Sequence, residues 1–176
     1  PLAKIAAQLS VGQKLKNYNL PRWDSIKHVS IKEAVLPFNK FPAESIFLSP
    51  EMKSTGEVMG ISENFGLSFF KATLSAGIKL PESGLVFISV NNEDKFKIIS
   101  IARAFKELGF NIVATEGTAK ELIKNGMSAE TVYKVGEGRP NIVDRIKNNE
   151  IDVVINTPLG AQSRYDEEAI GKACIQ

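Results

Sequence analysis

Histidine and cysteine each occur once among the 176 residues of this chain, and each scarcity excludes chemistry. With Cys174 as the lone cysteine, an intrachain disulfide and any cysteine-based metal cluster are ruled out. A reduced, cytoplasmic setting follows as the default. His28 falls in the first segment, so the second half has no histidine to serve as a general base. Neither sign of charge dominates: Lys+Arg 22 against Asp+Glu 20 leaves +2, which demands neither nucleic acid nor membrane as a partner. No apolar run approaches the roughly 20 residues that cross a bilayer. The opening PLAKIAAQLS lacks the charged leader and long apolar core of a signal peptide. Metal-ligand spacing is absent, and no nucleophile stands in a pattern with a base, so no catalytic residue, cofactor ligand or metal ligand is expected. The first residue is not Met and the last lie in or just past a helix, so both ends read as cut from something longer.

What is present falls into two regimes. Up to about residue 76 the pattern is irregular. Residues 1–9 suit a helix, with Leu2, Ile5, Ala6 and Leu9 on one face. His28 to Val35 alternates as a strand, with Val29, Ile31 and Val35 sharing a face with an acidic residue, Glu33. Residues 36–62 carry Pro37, Pro42, Pro50, Gly56 and Gly60, which argue against long regular elements. Asn64 to Ala76 reads as a helix with Phe65, Phe69, Ala72 and Ala76 on one face. Residues 77–84 read as a boundary, and from 85 the rhythm changes.

LVFISV (85–90) is a continuous apolar run, followed by a helix from Asn92 to Leu108. Phe110, Ile112 and Val113 make a second strand, which runs through the turn Thr115-Glu116-Gly117-Thr118 into a helix stopped by Gly126. Thr118 with Glu121 has capping-box spacing. TVYKV (131–135) is a third strand, Pro140 opens a helix running to Lys147, IDVVIN (151–156) is a fourth strand, and Tyr165 to Ile175 a last helix. Strands apolar on both faces alternating with helices predict an α/β domain, a doubly wound parallel sheet covered on both sides.

Ligands of such sheets bind outside the carboxyl ends of the strands. Those four ends carry Ser89 with Lys95; Thr115 with Gly117 and Thr118; Lys134 with Gly136, Gly138 and Arg139; and Asn156 with Thr157. Any one of these has a plain structural explanation. Thr118 alone is a helix cap, Lys95 alone a solvated lysine, Gly136 and Gly138 alone a turn before Pro140. Hydroxyls, an amide, cations and glycines recurring at one sheet edge instead predict recognition of a phosphate or carboxylate, aided by the positive end of the helix after Thr115. Binding is the better reading than catalysis, because the bases near that edge are few. Glu137 pairs as readily with Arg139, and Asp144 is expected to face solvent or pair with Lys147.

At VFISV-x₄-K, ATEGTA, YKVGEGRPNIVDRI and VVINT the sequence resembles the methylglyoxal-synthase-like domain of carbamoyl phosphate synthase large chains. Upstream, VSIKEAVLPFNKFP and PEMKSTGEVMG resemble the end of the second ATP-grasp module of the same chains. The resemblance implies a C-terminal part of an ATP-grasp module over 1–76, a linker at 77–84, and an allosteric domain over 85–176, truncated at its C-terminus. It implies nucleotide effectors, UMP or IMP, held by Ser89, Lys95, Thr115, Gly117, Thr118, Lys134, Asn156 and Thr157. It also implies an ornithine-type effector contact at Glu33. The parent ligase makes carbamoyl phosphate from bicarbonate, ammonia from glutamine, and two ATP, for pyrimidine and arginine biosynthesis, with Mg or Mn. A glutaminase small chain is its partner and homo-oligomers form through this domain. Two positions depart from the family pattern: Glu116 replaces a histidine common in the turn, and Pro158 a threonine often found after Asn-Thr. Since the ATP- and metal-binding residues would lie upstream of Pro1, this stretch alone is expected to be inactive as a synthetase. The alternatives are a methylglyoxal-synthase-type lyase, which lacks its aspartate and histidines here, and a pure oligomerisation module.

Overall fold

The computed structural model describes residues 2–41, 46–48 and 50–175; the side chains of Trp23, Asn39 and residues 161–164 are outside that description, as is Pro42. The chain divides into two compact units, one of Pro1–Glu33 with Glu57–Ile78, the other of Ala34–Gly56 with Lys79–Gln176.

In the first unit, helix α1 (Leu2–Ser10) buries none of its described residues. Strand β1 (Val29–Val35) alternates half-buried and exposed residues, with Glu33 on the inward face as its pattern requires. It pairs with β2 (Gly56–Ser62), a strand of 7 residues within a stretch whose prolines and glycines argue against long regular elements. The glycine that argues against a strand is the reason this one packs. Helix α2 (Phe65–Ser75, capped by Asn64) crosses so near Gly60 that an added Cβ would overlap the Ser68 carbonyl and come within 2.6 Å of the Ala72 nitrogen. A glycine inside a strand marks this kind of close backbone approach. The Ser68 hydroxyl then donates to the Val29 carbonyl at 2.8 Å. Small residues face the strands, so Phe65 and Phe69 stay 63% and 44% exposed, stacked on each other at 6.0 Å. Gly60→Ala is expected to destabilise this unit by about 1–3 kcal/mol, because backbone rather than a flexible side chain must yield. Urea denaturation of the variant checks it.

The second unit carries strands β3 (Leu85–Val90), β4 (Asn111–Thr115), β5 (Glu130–Val132) and β6 (Val153–Thr157), all parallel, in the order β5-β4-β3-β6. Helices α3 (Lys95–Glu107) and α4 (Glu116–Lys124) cover one face, where Val86, Ile88, Ile112 and Ala114 meet Ile98, Ala102, Ala119 and Leu122. Helices α5 (Ile142–Lys147) and α6 (Ala161–Ile175) cover the other, where Phe87 and Val113 meet Ile142, Ile146, Ile170 and Ala173. This is the doubly wound α/β sheet that the apolar runs predict. The chain leaves β3 for one side and later returns to add β6 on the other. The connections therefore part at the carboxyl ends of β3 and β6, and such a switch point opens a crevice.

Three local expectations are corrected here. Thr118 does not cap α4: the helix begins at Glu116, with Thr115 as its cap residue making no side-chain cap bond, and Thr118 is buried in the first turn. The spacing to Glu121 fits a capping box, but the tertiary pull of the sheet on Thr118 wins. Gly126 does close the helix, at φ 79°, with the Met127 N–H donating to the Leu122 carbonyl at 3.1 Å. Pro140 does not open α5: its peptide bond with Arg139 is cis, and Asn141 caps the helix in a reciprocal box with Asp144. Asp144 is thus occupied with the Asn141 N–H at 2.9 Å and with Arg139 at 3.8 Å. The third strand is shorter than TVYKV suggests. It ends at Val132, and Lys134 lies in a turn where Glu137 accepts from the Lys134 N–H at 3.1 Å.

Candidate functional site

At the carboxyl ends of β3, β4 and β6 lies a cavity of about 290 Å³. It is lined by Ser89 and Lys95, by Thr115, Gly117 and Thr118, by Lys134, and by Thr157. Seven of the eight residues predicted to hold an anion are therefore brought together, from four stretches of chain. Larger hollows of about 550 and 590 Å³ exist in this unit, but among the described residues the first is lined by no cation and the second by Lys120 alone, which is paired with Glu116.

Each wall is set by an element's end. The Thr115 hydroxyl, buried, lies 3.4 Å from both the Ser89 and Thr118 hydroxyl oxygens. Thr118 accepts from the Val90 N–H at 3.3 Å, which leaves it one proton to donate. The first turn of α4 supplies the unsatisfied N–H groups of a helix start. Gly117 stands there with the Lys95 ammonium 3.3 Å from where its Cβ would be, a tight approach that a flexible lysine end could relieve by a small shift. A cation beside a helix N-terminus is electrostatically unfavourable without an anion between them. Lys134, in the turn after β5, is exposed to water.

Asn156 is the exception. It pairs in register with Ser89 but lines the 550 Å³ hollow with Ile46, Val154, Glu167 and Ile170. Glu116, a negative charge that reads from sequence as beside the anion site, is exposed and bound to Lys120 at 2.7 Å. That lysine holds its carboxyl below the usual range. It lines the 590 Å³ hollow instead, so its charge is turned away and neutralised. His28 is exposed ahead of β1, and Glu33, half-buried, accepts from the Thr73 hydroxyl at 3.3 Å. Among the described residues no group of His, Cys, Asp and Glu is arranged to hold a metal. Among the described residues no helix is long and apolar enough to cross a membrane.

Asn91 and Asp166 are among the lining residues that escape a reading of the sequence. Asn91 sits at the crevice between β3 and β6, and its signal is present in NNED, an asparagine turn ahead of a helix. Asp166 has no local signal, because only the start of α6 brings it here. One of its carboxylate oxygens is buried without a hydrogen-bond partner. Burial pushes its carboxyl up, Lys134 opposes this, and Glu137 adds to it. A carboxyl raised by folding holds its proton more tightly in the folded state. Its ionisation therefore weakens the fold, a penalty absent in strong acid that grows as pH rises from about 3.9 to the higher folded value. Asp166→Asn is expected to stabilise the chain at pH 7 and to lose that advantage near pH 3, as read from denaturation midpoints at both values.

Residues 97–176 match the family described as MGS-like domain. Ser89 and Lys95 lie just ahead of that range. The chain is 53% identical to the carbamoyl phosphate synthase large chain of Acidobacterium capsulatum over 99% of its own length and 17% of that relative. For the large chain of Archaeoglobus fulgidus the identity is 51%, over 99% of this chain and 16% of the relative. It is 46% identical to the large chain, C-terminal section, of Aquifex aeolicus, over 100% of this chain and 36% of that one. The chain thus spans about a sixth of the first two relatives and about a third of the last.

Proposed function

Residues 97–176 belong to the MGS-like domain family, in a chain similar along its whole length to carbamoyl phosphate synthase large chains, and from that premise we propose that the cavity binds a nucleotide monophosphate effector such as UMP or IMP. The carrying observation is the meeting of Lys95, Lys134, four hydroxyls and the start of α4 around 290 Å³. Two cations and a helix N-terminus suit a phosphate dianion. The volume is near the lower end for small-molecule sites, enough for a phosphate with its sugar at the mouth. The apolar side chains of Val90 and Leu159 and the carboxylate of Asp166 line the remainder.

On this reading the domain senses effectors for a ligase that makes carbamoyl phosphate from bicarbonate, glutamine-derived ammonia and two ATP in the cytoplasm, for pyrimidine and arginine biosynthesis. Residues 1–76 would end an ATP-grasp module and 77–84 would link it to the sensor, with Glu33 available to an ornithine-type effector. The glutaminase small chain would be met through the parent chain. Calorimetric titration of the 176-residue chain with UMP, IMP and inorganic phosphate tests the proposal. Saturable one-site binding of a nucleotide, competed by phosphate, is the expected result, and no heat with any of the three would sink it. A coupled assay should find no ATP-dependent carbamoyl phosphate formation by this chain alone. Methylglyoxal release from dihydroxyacetone phosphate would favour a lyase instead.

A further inference from the structure

Accepting that the cavity binds a phosphate ligand, we propose that Asn91 is its positioning residue. It forms a clasp across the β3–β6 crevice that holds Lys95 in place, and the Thr157 hydroxyl serves that clasp rather than the ligand.

The inference starts from how completely the Asn91 side chain is used. Its amide nitrogen donates to the Thr157 carbonyl at 3.2 Å, to the Thr157 hydroxyl at 3.3 Å and to Asp94 at 2.9 Å. Its amide oxygen accepts from the N–H groups of Glu93 at 2.8 Å and Asp94 at 3.2 Å. The Asn91 backbone N–H turns to the same partner, donating to the Thr157 carbonyl at 3.2 Å and hydroxyl at 3.3 Å. One half-buried side chain thereby ties the last residue of β6 to the turn that opens α3. Lys95 is the first residue of that helix.

Strands β3 and β6 are paired through Val90 and Thr157, but beyond them the chain departs to opposite faces of the sheet. Sheet hydrogen bonds cannot fix the two loops relative to each other past this point, and Asn91 does so instead. Asp94 completes the device. Its carboxylate is held below its usual range by Lys97 first, then by Asn91 and Thr157, so it is ionised and accepts. The Thr157 hydroxyl has one proton and two acceptor lone pairs. Asn91 uses its oxygen and Asp94 attracts its proton, so little remains for a ligand. Thr115 and Thr118, by contrast, share one short chain of hydroxyls with a proton to spare. Two threonines at the same sheet edge therefore have different work.

A double-mutant cycle read by UMP titration separates this from a merely structural role. Asn91→Ala is expected to weaken UMP binding about tenfold in the otherwise wild-type chain and to have no further effect in a Lys95→Ala background. Asn91→Asp keeps the turn acceptor but loses the donor and sets a second carboxylate against Asp94, so it should weaken binding at least as much as Asn91→Ala, with unchanged circular dichroism. Thr157→Ser should bind as wild type. Thr157→Val should match Asn91→Ala, and the pair together should be no worse than either. If losses from Asn91→Ala and Lys95→Ala multiply, or Thr157→Val weakens binding further within Asn91→Ala, the clasp is wrong. A wild type that binds UMP with Asn91→Ala indistinguishable from it overturns the clasp alone. A wild type that takes neither UMP nor inorganic phosphate overturns the clasp and the effector site together.

Discussion

Replacing Lys95 and Lys134 together by alanine is expected to weaken nucleotide and phosphate binding by roughly two to four orders of magnitude. Each lysine offers the ligand a charge-assisted hydrogen bond, and each such bond lost is worth about 1.5–3 kcal/mol. The two ammonium groups approach from different stretches, the start of α3 and the turn after β5, so on the proposed reading they would grip different oxygens of one phosphate. Asp166, lining the same cavity, repels that phosphate, so removing the cations leaves a site with net negative character. Single variants should each fall by about one to two orders. The salt dependence of binding should flatten in step, because exposed charge interactions are screened within about 10 Å at 0.1 M salt. Calorimetric titration with UMP at two ionic strengths checks both. Undiminished affinity in the double variant would place the ligand elsewhere, with the 550 Å³ hollow beside α6 the next place to look.

Phe87→Ala is expected to destabilise the second unit by about 3–5 kcal/mol, as truncation of a fully buried aromatic does. Phe87 has no exposed surface and sits in the central strand, two residues below Ser89. Its ring fills the layer between the sheet and the helices α5 and α6, beside Val113 and Ile170. A cavity there removes support from both the sheet and α6, which delivers Asp166. Stability losses of this size consume much of a typical domain's margin. Phe87→Leu should recover most of the loss. Urea denaturation midpoints of the two variants, compared with wild type, measure the difference.

Apolar runs of four to six residues made the parallel sheet and its two covering layers readable, since buried strands need both faces apolar. The same runs fixed the strand ends closely enough to anticipate the cavity's hydroxyls and lysines. What escaped was decided by tertiary geometry. Gly60 reads as a strand breaker until α2 is seen lying against it. Thr118 reads as a cap until the sheet draws it inward to Val90. Asn156 and Thr157 are adjacent in sequence and read alike, but Thr157 lines the cavity while Asn156 lines another hollow, although its register partner Ser89 lines the cavity. Asp166 depends on where α6 begins, which the sequence pattern puts at Tyr165 and the structure puts at Ala161. Glu116 looked obstructive because its ion pair with Lys120 cannot be inferred without knowing that α4 starts one residue after Thr115.

The parting of the chain at β3 and β6 carries a thermodynamic consequence. Ser89, Thr115, Lys134 and Thr157 lie far apart along the chain and meet only when the sheet is complete. The unfolded chain then has no counterpart of the cavity, and a molecule that enters it binds the folded state alone. By linkage, a ligand present at a hundred times its dissociation constant adds about 2.7 kcal/mol to stability. Effector and fold are therefore coupled through mass action. If the cavity takes a nucleotide as proposed, a chain weakened at Phe87 should be partly restored by it, and the melting temperature becomes a gauge of which nucleotide binds.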